Sequence, residues 1–477
     1  MHRLLVKVRE KRLRKRYRDR NGLEYARYAL RVRVEGSAID ALKVPKDRVG
    51  RDVSLTRDFL LPWGVKVGDL LVLDPSESAR VLCPRPPRAL ARCRRSGAAT
   101  FESGDVDRDG LPEDLLTNAF VRAVVQPHRG ARVQSLEDCR GVDRLAQPFD
   151  YIMAGKLILL GGAEEYIAEG GSPGDMWNAA FRRDEPVVGP DAVEITYSHA
   201  PESPEGVKYS KRVRVERDFP GVLESFTVAY AGKPKKAGER ADDDGERAAD
   251  GGEAAAAKRD EAKVTLCVRL VTPVHGDVGS QNVFDVPGPS GLAVVRYHRP
   301  GYGRRWRWRD WRDEHFGLKA GFVVSRHEGL GAAMAVLFSR RKIAHVSVRR
   351  DFTGPEVTVC HVRSRIPKGG RRRYGLALLV GHAAAATGDS LLLLTRGVAG
   401  AGGVPVAITL RTDKRLERPR AAVSTAAGRT SARLARRDLP GAGHVYSATL
   451  RVPRSALPLS CSVRAGRDRL SAVLEAT

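Results

Sequence analysis

Two stretches of the chain carry side chains whose type and spacing could do chemistry. Between Arg304 and His315 the sequence reads RRWRWRDWRDEH, and it holds three of the protein's five tryptophans. On a strand, Trp306 and Trp308 share one face while Arg305, Arg307 and Arg309 share the other. Such an aromatic ladder, with Trp311 beyond it, stacks on the apolar face of a sugar or on a base, where stacking is worth roughly 1–3 kcal/mol per base. The alternating guanidiniums suit carboxylates or phosphates, which they meet in bidentate fashion. The same spacing also suits indoles in a sheet core with arginines in solvent. In the second stretch, Asp105, Asp107 and Asp109 alternate ahead of Gly110, followed by Leu111 and Glu113. A hard cation such as Ca²⁺ takes about six to eight oxygens. A tight loop can aim these carboxylates inward, with the Leu111 carbonyl and the Glu113 side chain closing the ring. The expected ion is structural Ca²⁺, against a plain solvated acidic turn.

Other signatures are missing. The six cysteines form no CxxC pair or close Cys/His grouping, which disfavours zinc and thioredoxin-like motifs. No phosphate loop, HExxH site or GxSxG elbow occurs, so ATPase, zincin and α/β-hydrolase readings drop out. The longest apolar runs fall far short of the roughly 20 residues that span a bilayer. The basic amino terminus has no secretory core. The default reading is therefore a cytoplasmic protein without a membrane span, and export stays open because calcium loops and glycan-binding sheets are commoner outside cells.

The elements that must position these groups are strands. Runs such as Tyr28 to Val34, Leu223 to Tyr230, Val264 to Val271, Ala333 to Phe338, Tyr374 to Val380 and Val404 to Leu410 alternate or are β-branched, with Gly, Pro, Asp and Asn between them. Only Ala421 to Arg437 mimics an amphipathic helix, and Gly428 weakens it. The expected fold is all-β. It has a small basic β domain over residues 1–100, a large antiparallel sandwich over 101–400, and a small immunoglobulin-like sandwich over 401–477. Gly238 to Ala262 has nine acids against four bases and no apolar period, so it reads as a mobile insertion. The 477 residues carry 83 Lys and Arg against 57 Asp and Glu, a formal charge of +26, which attracts polyanions without choosing among them. Nine bases between Lys7 and Arg20 form a strip that suits nucleic acid or a merely solvated face.

The calcium loop resembles those of dockerins and FG-GAP repeats, although position twelve is Leu116 where an EF-hand has a bidentate Glu. Downstream, Asn118 before a strand, the Pro127, Gly130, Ala131 turn, and the Gly161, Gly162, Glu164, Glu165 bend together resemble the galactose mutarotase-like supersandwich over about residues 115 to 400. That resemblance implies a carbohydrate-binding or carbohydrate-processing sandwich with its saccharide, here an acidic one, under Trp306, Trp308, Trp311, Arg305 and Arg307. The family uses a His acid and a Glu base, for which Glu164, Glu165, His298 and His315 are the candidates, but its paired-His pattern is not recognisable. Nucleic-acid binding and a structural, ligand-free assembly of sandwiches are the alternatives.

Overall fold

The computed structural model describes residues 4–18, 24–37, 52–54, 59–62, 70–73, 81–82, 98–106, 111–145, 149–153, 156–170, 176–232, 260–272, 281–298, 313–327, 331–350, 355–439, 443–466 and 468–475. Among them there is no α-helix, only strands and short 3-10 turns such as Met176–Asn178. All the paired strands are antiparallel, as period-two patterning between turn residues dictates.

Two large sheets make the centre. One has nine strands, running in space from Asp313–Phe316 through Ile343–Arg350, Pro355–His361, Leu266–Val271, Ala163–Ile167 and Arg132–Glu137 to Thr100–Gly104. The other has ten and includes Val207–Glu216, Gly221–Tyr230, Arg371–Gly381 and Ala332–Phe338. Alternation decides what each sheet buries. In Val207–Glu216, Val207, Tyr209, Val213 and Val215 enter the shared core, while Lys208 and Arg212 stay in water. Val268, Leu270, Val346, Val348, Val357 and Val359 meet them from the nine-stranded sheet. Burying each such side chain contributes about 1.5–3 kcal/mol.

Asn118 ties the two layers together. Its amide donates to the carbonyls of Glu216 (2.6 Å) and Phe219 (2.8 Å), and its Oδ1 accepts from the N–H groups of Phe120 and Val121. A fully buried amide survives at this position because its donors and its acceptor oxygen are all used.

The amino-terminal sheet pairs the long strands Leu4–Arg18 and Glu24–Ser37, and the hairpin Phe149–Met153 with Lys156–Leu160 extends it through Val81–Leu82. A register shift between Leu13 and Lys15 interrupts the regular pairing within the basic strip. At the carboxyl end, a five-stranded and a four-stranded sheet enclose a second core around Leu392, Ile408, Val423, Tyr446 and Leu470. The five-stranded sheet already begins at Ala383–Ala386. The helix-like stretch is strand throughout, as Arg420–Thr425, Gly428–Arg433 and Ala435–Arg437. Gly428 turns the hairpin at φ 132°, a region open to glycine.

Three residues expected in the insertion, Asp260, Glu261 and Ala262, instead belong to the described fold. Glu261–Val264 pairs with Ser364–Pro367, and Asp260 accepts the Tyr230 hydroxyl at 2.6 Å. The part from residue 238 to 259 lies outside the described residues.

Candidate functional site

The face of the nine-stranded sheet turned away from the core is polar across five adjacent strands. Register places His315 opposite Ser347, Ser347 opposite Thr358, Thr358 opposite Arg269, and Arg269 opposite Glu164. One residue pair along lies a second row, His345, Cys360, Cys267 and Tyr166. The residues that alternate with them along the strands, such as Val346, Val359, Val268, Leu270 and Ile167, enter the core, so the outward direction of this set follows from the pleat. His315 is exposed and its ring centroid is 5.2 Å from that of His345. From there the row descends through Ser347 and Thr358, both nearly covered, to Arg269 and Glu164, which are closed off.

Glu164 anchors the inner end. Its Oε2 accepts from Arg132 Nη1 at 2.7 Å and its Oε1 from Arg269 Nη1 at 2.5 Å. Arg269 also binds Glu356, with Nε 2.6 Å from its Oε2, and lies over the Trp177 ring. Arg132 reaches the carbonyls of Arg129, Gly161 and Trp177 as well. The Pro127 to Ala131 turn makes this closure possible: Gly130 has φ 76°, and a Cβ there would meet the Met176 carbonyl at 2.6 Å.

Glu165, next in sequence, points the other way. Between the sheets, Lys211 Nζ lies 2.8 Å from Glu165 Oε1 and 2.8 Å from Glu224 Oε1, with all three side chains buried. Burial, the largest influence, pushes the Glu165 carboxyl up to about 8; Glu224 adds to the rise and Lys211 opposes it. The same burial would lower Lys211, but its two carboxylates win and raise it.

Glu164 and Glu165 are two of the four acid/base candidates that the sequence offers, beside His298 and His315. The structure separates the two glutamates onto opposite faces, at 1% and 3% exposure, each paired with a base. Both carboxylates are thus closed off from water and face bases of the same chain. Of the two histidines, His315 is at the open end of the row and the backbone of His298 ends the strand Gly291–His298 in the other sheet. Trp306, Trp308, Trp311, Arg305 and Arg307 lie outside the described residues, as do Asp107 and Asp109. Asp105 is exposed, and Leu111 is half-buried. Glu113 is buried, with Oε2 accepting the Val106 N–H at 2.6 Å and Oε1 3.5 Å from His128 Nε2. Among the described residues, no group of three or more His, Cys, Asp and Glu side chains is placed to hold a metal ion.

Sequence reading missed Arg132, Lys211, Arg269, Glu224 and Glu356. An alternation count would have put Lys211 and Glu224 on inward positions, a signal in itself. It also missed that Cys267 and Cys360 meet across two strands, Sγ to Sγ 3.2 Å. Beside the sheets, Asp138 accepts from Arg144 and from Arg140, and lies 3.1 Å from His382 Nε2. Burial would raise its carboxyl, yet His382 and the two arginines hold it well below the usual range. His382 Nδ1 accepts the Arg396 N–H, which fixes the ring proton on Nε2, so the imidazole cannot serve as base to Cys139, whose Sγ is 3.9 Å away.

No protein-family description matches the sequence, and no curated protein does. Several solved structures resemble the chain. A TPR-domain containing protein from Parabacteroides distasonis superposes with a TM-score of 0.42 and 13% identity, over 57% of this chain and 47% of that one. This chain thus spans about half the length of that protein. A galactose mutarotase-like protein from Clostridium acetobutylicum gives a TM-score of 0.36 and 8% identity, over 59% and 98% of the two chains. One from Lactobacillus casei gives 0.35 and 10%, over 56% and 99%.

Proposed function

We propose that the outward face of the nine-stranded sheet binds a saccharide. The observation that carries this reading is the cross-strand row His315, Ser347, Thr358, Arg269, Glu164, which opens to solvent at one end. Mixed donors and acceptors on a rigid sheet are the lining a polyhydroxylated ligand needs, whereas apolar cargo would call for an apolar lining. His315, His345, Ser347 and Thr358 would touch the sugar, and the ion pairs at Glu164 and Arg269 would keep the floor in place. In sequence, Trp306, Trp308 and Trp311 precede the strand Asp313–Phe316, which carries His315, and they are proposed to supply the stacking face. The net charge of +26 favours an acidic saccharide.

A glycan array followed by calorimetry tests this. Binding of a neutral, uronate or sulfated glycan, weakened about tenfold or more by His345→Ala with Thr358→Val, is expected. Binding of none, or binding indifferent to both substitutions, overturns it. Calcium in the Asp105–Glu113 loop is a separate proposal resting on the carboxylate spacing, and it requires Glu113 to turn from Val106 and His128. A rise in melting temperature with Ca²⁺ that EGTA reverses is its test.

A second reading, nucleic-acid binding, rests on the amino-terminal ribbon, where Lys11, Arg12 and Arg14 are exposed. It predicts affinity for generic DNA or RNA that falls steeply with salt.

A further inference from the structure

The carboxyl-terminal sandwich contains a pocket of about 550 Å³ whose rim is cationic. Arg415 and Arg418 line it from the loop after Val404–Thr412, and Arg433 and Arg436 face them from the other side. That other side is the point where the chain leaves one sheet for another. Gly428–Arg433 belongs to the four-stranded sheet and Ala435–Arg437 to the five-stranded one, with Leu434 between them. The floor is apolar, with Leu416, Leu434 and the Tyr446 ring. No acidic side chain lines the pocket. Beside it, the exposed Asp438 lies 3.7 Å from Arg436 Nε.

The two walls are held rather than loose. Leu416 N–H donates to the Tyr446 hydroxyl at 2.7 Å, and that hydroxyl donates back to the Leu416 carbonyl at 3.2 Å. Leu434 N–H donates to the Pro419 carbonyl at 2.9 Å, stitching the crossover to the loop. Arg418, between these anchors, has φ 47°, a left-handed conformation that a non-glycine residue adopts only when its surroundings impose it. Guanidiniums that share one rim repel one another, and an anion bound among them relieves that repulsion. Guanidinium pairs oxyanions in bidentate fashion, and the volume falls within the roughly 300–1,000 Å³ of small-ligand sites.

We propose that this pocket binds a small ligand carrying two or more oxyanion groups, sulfate or phosphate, whose apolar side rests on Leu416 and Tyr446. A compact pocket fits such a ligand better than a continuous polyanion, which would call for an extended strip. The proposal is independent of the saccharide reading of the central sheet.

Calorimetry on the full chain at roughly 50 mM salt, where screening is modest, tests it with inorganic tripolyphosphate, a multiply sulfated disaccharide and orthophosphate. One of the first two is expected to bind at least about tenfold tighter than orthophosphate, and which one identifies the source of the anion. Arg415→Gln with Arg433→Gln should weaken that ligand about tenfold or more, and the paired Lys substitutions should recover only part, because a point charge lacks the fork. Arg371→Gln with Arg372→Gln, exposed in the ten-stranded sheet, and His345→Ala with Thr358→Val should leave the affinity unchanged. No binding of either multivalent probe overturns the proposal. So does an equal loss in the Arg371 and Arg372 control, which would mark a general attraction to the net charge.

Discussion

Arginine and lysine are used in two opposite ways in this molecule. In the central sandwich, Arg132, Arg269 and Lys211 are almost wholly buried, and each meets a carboxylate: Glu164 for both arginines, Glu356 for Arg269, Glu165 and Glu224 for Lys211. In the carboxyl-terminal sandwich, Arg415, Arg418 and Arg433 stand exposed around a pocket that no carboxylate lines, beside Arg436, which lies 3.7 Å from the exposed Asp438. The first set is closed inside the fold, where charge must be answered at once because burial of a lone ion costs several kcal/mol. The second can wait for its counter-charge, since water screens it until a ligand arrives. Whether a base is answered from within the chain therefore separates architecture from recognition here, and removing bases from each set should have unlike consequences.

The largest effect is expected at Lys211. Lys211→Met leaves Glu165 and Glu224 facing each other between the sheets, and should cost about 3–5 kcal/mol in urea unfolding. Adding Glu165→Gln and Glu224→Gln to it should recover most of that loss, because a neutral cluster needs no counter-ion. If the triple variant is no better than the single one, packing rather than charge holds the layers, and the contrast with the pocket loses its basis.

Arg269→Met should cost less, about 2–3 kcal/mol. It takes one base away from Glu356, while Arg132 still answers Glu164 at 2.7 Å. The same melt, run beside Arg132→Met, shows which arginine matters more to the strand Ala163–Ile167.

Much of this arrangement was legible beforehand, and the gaps have a common cause. Strands such as Glu24–Ser37, Gly221–Tyr230, Ala332–Phe338 and Val404–Thr412 announced themselves because burial on one face imposes a period of two. Within the stretch from Val264 to Val271 the break at Thr265 was not visible. It arises from Glu169, whose carboxylate accepts both the N–H and the hydroxyl of Thr265 from 96 positions away. The bend of Gly161 and Gly162 was recognised, but not that its two acids would diverge, since that depends on which partner strands arrive. Glu164 meets Arg269, 105 residues on, and Glu165 meets Lys211, 46 residues on. Local spacing carries turn chemistry and periodicity; it does not carry the register that brings distant charges together. The pocket arginines escaped notice for the opposite reason, being submerged in a chain with 83 basic residues.

Acidity gives a finer probe of the central triad. The Glu165 carboxyl rises from its ordinary 4.5 to about 8, so the folded protein holds a proton that the unfolded chain releases. That contribution to stability is complete below about pH 4.5 and drains away as pH climbs through about 8. Asp143, raised to about 6 by burial and by Glu137, acts with the same sign lower down, so the informative interval lies above it. Between about pH 6.5 and 8.5 the wild type should lose on the order of 1–2 kcal/mol that Glu165→Gln retains. Parallel slopes in the two proteins would mean the proton resides elsewhere in the cluster.

The smallest effect is the one that sharpens the comparison most. Arg415→Gln with Arg433→Gln should leave stability within about 0.5 kcal/mol of wild type, or raise it slightly as repulsion is relieved. Tripolyphosphate or the multiply sulfated disaccharide, whichever binds, should then raise the melting temperature of the wild type and not of the variant, because a ligand stabilises only the state that binds it. A substantial destabilisation by the double substitution would place these arginines with Arg269 and Lys211, as parts of the architecture. A neutral substitution that abolishes the anion-dependent shift would instead establish that the chain gathers charge here for something outside itself.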